Sequence, residues 1–133
     1  MLITLFIPCF VDLISPQAGI SIVNILEGLG HEIDYPDELG CCGQPPFNAG
    51  YWDEAREAAR PVLKRLRDSE AVVIASGSCG AMLKVFYKEL FHGQPEEAEA
   101  TTEVVSQARR WGEHRHHLAC SLPVARPASR IGL

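Results

Sequence analysis

Leu2-Ile3-Thr4-Leu5-Phe6-Ile7-Pro8-Cys9 opens the chain with a short, almost wholly apolar run, a proline stop and a thiol. A run of this length without polar alternation reads as a strand covered on both faces, the kind found inside a parallel sheet. Ala71-Val72-Val73-Ile74-Ala75 repeats the pattern and also runs into a turn bearing a thiol, Ser76-Gly77-Ser78-Cys79-Gly80. Between them, Ser15-Pro16 has the make-up of a helix cap followed by a first-turn proline. Ile20, Val23, Leu26 and Leu29 then form a helical stripe, and Gly30 is placed to end it. Residues 32–35 resemble a second strand. Strand, helix and strand make a βαβ unit with a right-handed crossover. The expected class is α/β, an open, mostly parallel sheet with helices on both faces.

Further along, residues 36–50 carry glycines and prolines around Cys41-Cys42 and read as a loop of tightly specified turns. Its Gly43-Gln44-Pro45-Pro46 stretch is expected to be neither regular helix nor central strand. Asn48 is placed to cap a helix over residues 51–67, with Ala55, Ala58, Ala59, Val62, Leu63 and Leu66 as its apolar face and a kink or break at Pro61. A helix over residues 81–91 turns Met82, Val85, Phe86 and Leu90 inward. Another over residues 95–111 is acidic at its start and basic at its end, in accord with the helix dipole. After Trp111 no period remains. Residues 1–111 are therefore read as one domain and residues 112–133 as an irregular or disordered tail.

With 133 residues the chain suits one domain with a real core. A net charge of −5 argues against a nucleic-acid partner, because phosphate contacts need surplus Lys and Arg. The apolar opening is too short for a membrane span and lacks a cationic leader, so a cytoplasmic protein is expected. In a reducing compartment, cysteines at motif-like spacing are more often metal ligands or redox groups than structural disulfides.

Four of the five cysteines follow from the topology. Cys9 lies just past the first strand and Cys79 just past the third, while Cys41-Cys42 sits in the loop after the second. Parallel strands share one carboxyl edge, where open α/β sheets bind ligands, so four thiols distant in sequence are expected at one place. Successive residues of an extended chain point apart, so aiming both vicinal thiols at one centre needs a sharp turn, which Gly43 and the prolines can supply. Soft thiolates in such a set suit iron–sulfur clusters or zinc. A polynuclear cluster takes neighbouring thiolates more easily than one zinc ion does. Backbone amides at Gly43, Gly77 and Gly80 are candidate donors to sulfur.

Phe6-Ile7-Pro8-Cys9-Phe10-Val11-Asp12, Cys41-Cys42-Gly43-Gln44-Pro45 and Ser76-Gly77-Ser78-Cys79 together resemble the cysteine-rich CCG domain. That domain occurs in heterodisulfide reductases and in related iron–sulfur proteins, and the likeness is greatest to the lactate-utilisation branch, over residues 1–91. The resemblance implies a cytoplasmic, non-autonomous iron–sulfur oxidoreductase subunit that passes electrons during L-lactate oxidation alongside other iron–sulfur subunits. It also implies Cys9, Cys41, Cys42 and Cys79 as ligands of a 4Fe-4S cluster, which in relatives can be noncubane. The family pattern usually has two copies of the motif, and its last element is often Cys-x-x-Cys. Here one copy is present, Ser76 stands at the first of those cysteine positions, and the loss of likeness after Phe91 reads as a truncation or a shifted frame. A single-motif chain could pair with a second copy as a homodimer.

Two other functional classes stand beside this one: a zinc-stabilised structural or interaction module, and a thiol–disulfide protein using Cys41-Cys42. Cys120 is assigned no role, and His114, His116 and His117 are read as a solvated tail rather than a metal site. His31 and His92 flank helix ends, and Asp12 is read as an ordinary loop carboxylate. Phe47, Tyr51 and Trp52 form an aromatic group beside the Cys41-Cys42 loop, read as packing or cover. The acidic Glu96-Glu97 and Glu99 are read as a solvated helix start. No phosphate loop, carboxylate pair or nucleophile–base set stands out.

Overall fold

In the computed structural model, residues 1–110 are described. The apolar run at the start forms β1 (Leu2–Phe6), and Cys9 begins a short helix, α1 (Cys9–Ile14), where a loop was expected. Helix α2 (Pro16–Gly28) follows, with Pro16 in its first turn. It ends as the sequence suggests: Gly30 takes φ +85°, its N–H bonds to Glu27, and the N–H of His31 reaches back to Leu26. This is the paired closure that a left-handed glycine permits. Strand β2 (Glu32–Asp34) then pairs with β1 in parallel.

The proline-rich loop departs from expectation. Gln44–Asn48 forms one short helix, α3, with prolines in its first turn, where a missing N–H costs nothing. Asn48 therefore ends a helix rather than capping one. Helix α4 (Trp52–Arg67) buries Ala55, Ala59, Val62, Leu63 and Leu66 as expected and runs through Pro61 without a break. Strand β3 (Ala71–Ile74) leads to α5 (Gly77–Ala81), a π-helical turn over Met82–Phe86, and α6 (Tyr87–Leu90). The helix thus begins four residues before the expected start. The extra residue of the π turn rotates the remainder of the helix, so Leu83, Tyr87 and Phe91 are buried and Val85, expected inward, is exposed. Helix α7 (Pro95–Gln107) stops short of residue 111, since β4 (Ala108–Arg110) pairs in parallel with β3 instead.

The sheet order is β2-β1-β3-β4, all parallel. The α/β class and the open parallel sheet are as expected, and helices cover both faces. Ile3, Leu5 and Val73 pack on one side against Ile22 and Leu26 of α2. The expected stripe of α2 holds at Val23 and Leu26 and fails at Ile20, which is exposed, while Gly19 and Ile22 also face inward. On the other side Phe6, Val72 and Ile74 join the buried side chains of α4, the π turn, α6 and Val104 of α7. Thr4 is buried and donates to Asp34 at 3.1 Å; Asp34 also accepts from Arg65 at 2.6 Å, tying β1, β2 and α4 together. No helix among the described residues is long and apolar enough to cross a membrane. The expected tail, with Cys120, His114, His116 and His117, lies outside the described residues.

Candidate functional site

Strands β1 and β3 are neighbours, but the chain leaves β1 through α1 and α2 on one face and leaves β3 through α5 on the other. In a sheet of this order, the two departures open a crevice at the shared carboxyl edge. Cys9 stands on one lip as the first residue of α1, and Cys79 on the other, within the first turn after β3. The loop after β2 brings Cys41 and Cys42 to the same edge. All four are free thiols, with Cys42 and Cys79 buried, Cys41 half-buried and Cys9 exposed.

They meet as two pairs rather than around one point. The Cys42 thiol donates to Cys79 Sγ at 3.2 Å in the buried interior, while Cys9 interacts chiefly with Cys41 on the outer side. Adjacent residues of the vicinal dipeptide therefore face different partners. The Gly43 turn does not bring both to one centre: Cys42 meets Cys79 and Cys41 meets Cys9. Among the described residues, no group of three or more His, Cys, Asp or Glu side chains is placed to hold a single metal ion.

Gly43 sets this geometry. Its φ of +86° is the left-handed region that glycine enters freely, and a side-chain carbon there would lie 2.7 Å from the Ala55 carbonyl oxygen. The turn brings the Gly43 N–H to 3.4 Å from Cys41 Sγ and lets α3 begin at once. Buried Tyr87 donates from its hydroxyl to the Cys42 carbonyl at 2.7 Å, fixing the backbone beneath the inner thiol. Tyr87 was not anticipated from the sequence. Its phase depends on the π turn, which no local pattern announces.

The inner pair shares one proton unequally. The bond from Cys42 brings the pKa of Cys79 down to about 6 against the opposing effect of burial, with the Ser76 and Ser78 hydroxyls assisting. Cys42, as donor, is held protonated, first by that bond, then by burial and the neighbouring thiolate charge. Burial and then the nearby Cys41 raise Cys9, and burial raises Tyr87 well above the phenol range. Ser76 Oγ accepts from the Cys79 N–H at 3.5 Å and lies 3.1 Å from Ser78 Oγ, so its hydroxyl caps the helix beneath Cys79. Beside the loop, Phe47 stacks on Trp52 at 5.2 Å and contacts Phe86 at 5.4 Å. Tyr51, expected in this group, is exposed.

The sequence matches the cysteine-rich domain family termed CCG over residues 3–84. Lactate utilization protein A of Geobacillus kaustophilus (strain HTA426) is 46% identical over 101 residues, covering 75% of this chain and 42% of that protein. Lactate utilization protein A 2 of Bacillus cereus (strain AH820) is 44% identical over 96 residues, covering 72% of this chain and 40% of that protein. The chain thus spans less than half the length of these curated relatives. The 101-residue match runs past Phe91, so the likeness does not end there as expected. No solved structure matches.

Proposed function

The chain belongs to the cysteine-rich CCG domain family, and from that membership and the thiol geometry we propose an iron–sulfur electron-transfer component of lactate utilisation. The observation that carries this reading is the meeting of Cys9, Cys41, Cys42 and Cys79, from three separate segments, at the crevice between β1 and β3. Their chemistry suits the group: four soft thiols, two of them buried, with the Gly43 N–H directed at sulfur. Separated pairs favour a polynuclear cluster, whose several irons accept thiolates at different points. A single zinc ion wants four donors around one centre, so the zinc module is the less fitting reading.

Cys9, Cys41, Cys42 and Cys79 would hold the cluster, of the 4Fe-4S type, noncubane included. Such a group supplies one-electron transfer at a potential tuned by hydrogen bonds to sulfur and by burial. The chain's own residues do the rest. The Gly43 N–H holds Cys41 Sγ in place, Tyr87 steadies the Cys42 backbone, and the Phe47–Trp52–Phe86 group packs against the inner side. The names of the relatives support a part in lactate utilisation. The reaction served is then L-lactate oxidation in the cytoplasm, with other iron–sulfur subunits as electron partners. Exposed Phe10, Leu13 and Ile14 on α1, beside Cys9, form an apolar surface of the kind assembly partners cover.

Anaerobic reconstitution with iron and sulfide tests the reading. About four irons per chain and a paramagnetic resonance signal on reduction are expected, as for a 4Fe-4S centre. A fully reduced chain that takes up no iron would refute it. For the lactate assignment, a strain lacking the chain should lose growth on L-lactate while keeping growth on other carbon sources.

A further inference from the structure

The inner thiols stand closer than ligand duty alone requires. Cys42 Sγ and Cys79 Sγ are 3.2 Å apart, already hydrogen-bonded, and both are buried. A disulfide needs the sulfurs to close to about 2.05 Å, a movement of roughly an ångström that side-chain rotation can supply. The alternative bonds are worse placed. Cys41 and Cys42 face different partners, and Cys9 with Cys41 forms the outer pair, where Cys9 is exposed and Cys41 half-buried. On the inner side, Tyr87 anchors the Cys42 carbonyl and the Ser76 hydroxyl caps the N–H of Cys79, so the backbones of both thiols are restrained.

We propose that Cys42 and Cys79 are a peroxide-responsive thiol–disulfide pair in the cluster-free chain. The two sulfurs are held together at 3.2 Å, and Cys79, the less buried of the two, is the sulfur that peroxide meets first. Its thiolate attacks one oxygen of hydrogen peroxide; the O–O bond breaks, hydroxide leaves, and Cys79 becomes a sulfenic acid, oxidised by two electrons while the peroxide is reduced. Cys42 sulfur then attacks Cys79 Sγ. The S–S bond forms, the S–O bond breaks, and the departing hydroxide takes the Cys42 proton as water. Two thiols and one peroxide give one disulfide and two waters. A dithiol reductant reverses the closure by thiol–disulfide exchange. Cys42 and Cys79 are only 2% and 5% exposed, which suits a small oxidant over a bulky disulfide. Closure withdraws half of the candidate ligands, so the oxidised chain cannot accept a cluster until it is reduced.

The test uses the full cluster-free chain, reduced anaerobically and then given hydrogen peroxide, with peptides mapped by mass spectrometry without reduction. A Cys42–Cys79 cross-link is expected to predominate. It should persist in Cys9→Ser, Cys41→Ser and Cys120→Ser and be reopened by dithiothreitol. A predominant Cys41–Cys42 or Cys9–Cys41 cross-link, or over-oxidised Cys79 with no cross-link, overturns the proposal. The wild-type map stands even if Cys42→Ser or Cys79→Ser fails to fold. Blocked cluster loading presupposes the iron–sulfur reading, whereas the cross-link does not. If the reduced chain also takes up no iron, that reading fails and the cross-link is judged on the map alone; if oxidised and reduced chains load equally, the pair does not close in the way proposed.

Discussion

Gly43 shows how much one residue can decide. It holds a left-handed φ and has a carbonyl where a side chain would go, two independent obstacles to any other residue. Gly43→Ala is therefore expected to lower stability by about 2 kcal/mol or more, adding steric displacement to the left-handed penalty. Gly50 has the same φ and open space around it, so Gly50→Ala should cost only about 1 kcal/mol; paired urea titrations separate the two. The inner thiols make a second prediction at this scale. The folded pKa of Cys79 is depressed to about 6, so the unfolded chain binds more protons between pH 6 and the ordinary thiol range. Stability of the reduced, cluster-free chain should therefore rise with pH across that window and be lost as pH falls toward 6. Above the thiol range the sign reverses, because Cys42 keeps its proton in the fold and the unfolded chain gives it up. Urea midpoints measured from pH 6 to 10 should pass through a maximum; a monotonic fall across pH 6–9 would contradict the shared-proton arrangement.

Among the elements, the helix after β3 links site and core. It starts at the Cys79 turn, contains the π turn at Met82–Phe86, and delivers Tyr87 to the carbonyl of Cys42. An α-helix advances about 100° per residue, so inserting one Ala between Phe86 and Tyr87 would swing Tyr87 away from Cys42. Helical circular dichroism should be nearly unchanged while the reduced chain's inner thiols become more open to alkylation. Tyr87→Phe is the milder version, costing about 1–3 kcal/mol because a buried carbonyl loses its partner. If the insertion leaves alkylation rates at the wild-type level, Tyr87 does not hold the inner pair. The apolar face of α4, the buried β1 and β3 runs and the Gly30 stop were all legible, since local pattern and tertiary burial agree there. The exact edge of the α2 face at Ile20, the phase after Ala81 and the helical turn of α3 were not. A stripe does not say where its covered edge falls, an inserted residue leaves no periodic trace, and prolines that break a helix interior are harmless in its first turn.

For the molecule as a whole, the core lies on both faces of the sheet and reaches its carboxyl edge, where Cys42, Cys79 and Tyr87 belong to it. Leu5, fully buried between strands and α2, should cost about 2–5 kcal/mol on replacement by Ala. Leu13 is 79% exposed on α1, and Leu13→Ala should stay within about 0.5 kcal/mol of wild type. Thermal unfolding of the two variants checks this, and a large loss at Leu13 would mean that α1 is covered in solution. By itself the sequence determined the α/β class, the buried strands and the edge where four thiols gather, because parallel connections carry every strand end to one side. Only the tertiary structure decided how those thiols pair. Cys41 and Cys42 are neighbours in the chain, yet their partners come from α1 and from the turn after β3. The Gly43 turn and the reach of Tyr87 then separate an exposed outer pair from a buried, proton-sharing inner one.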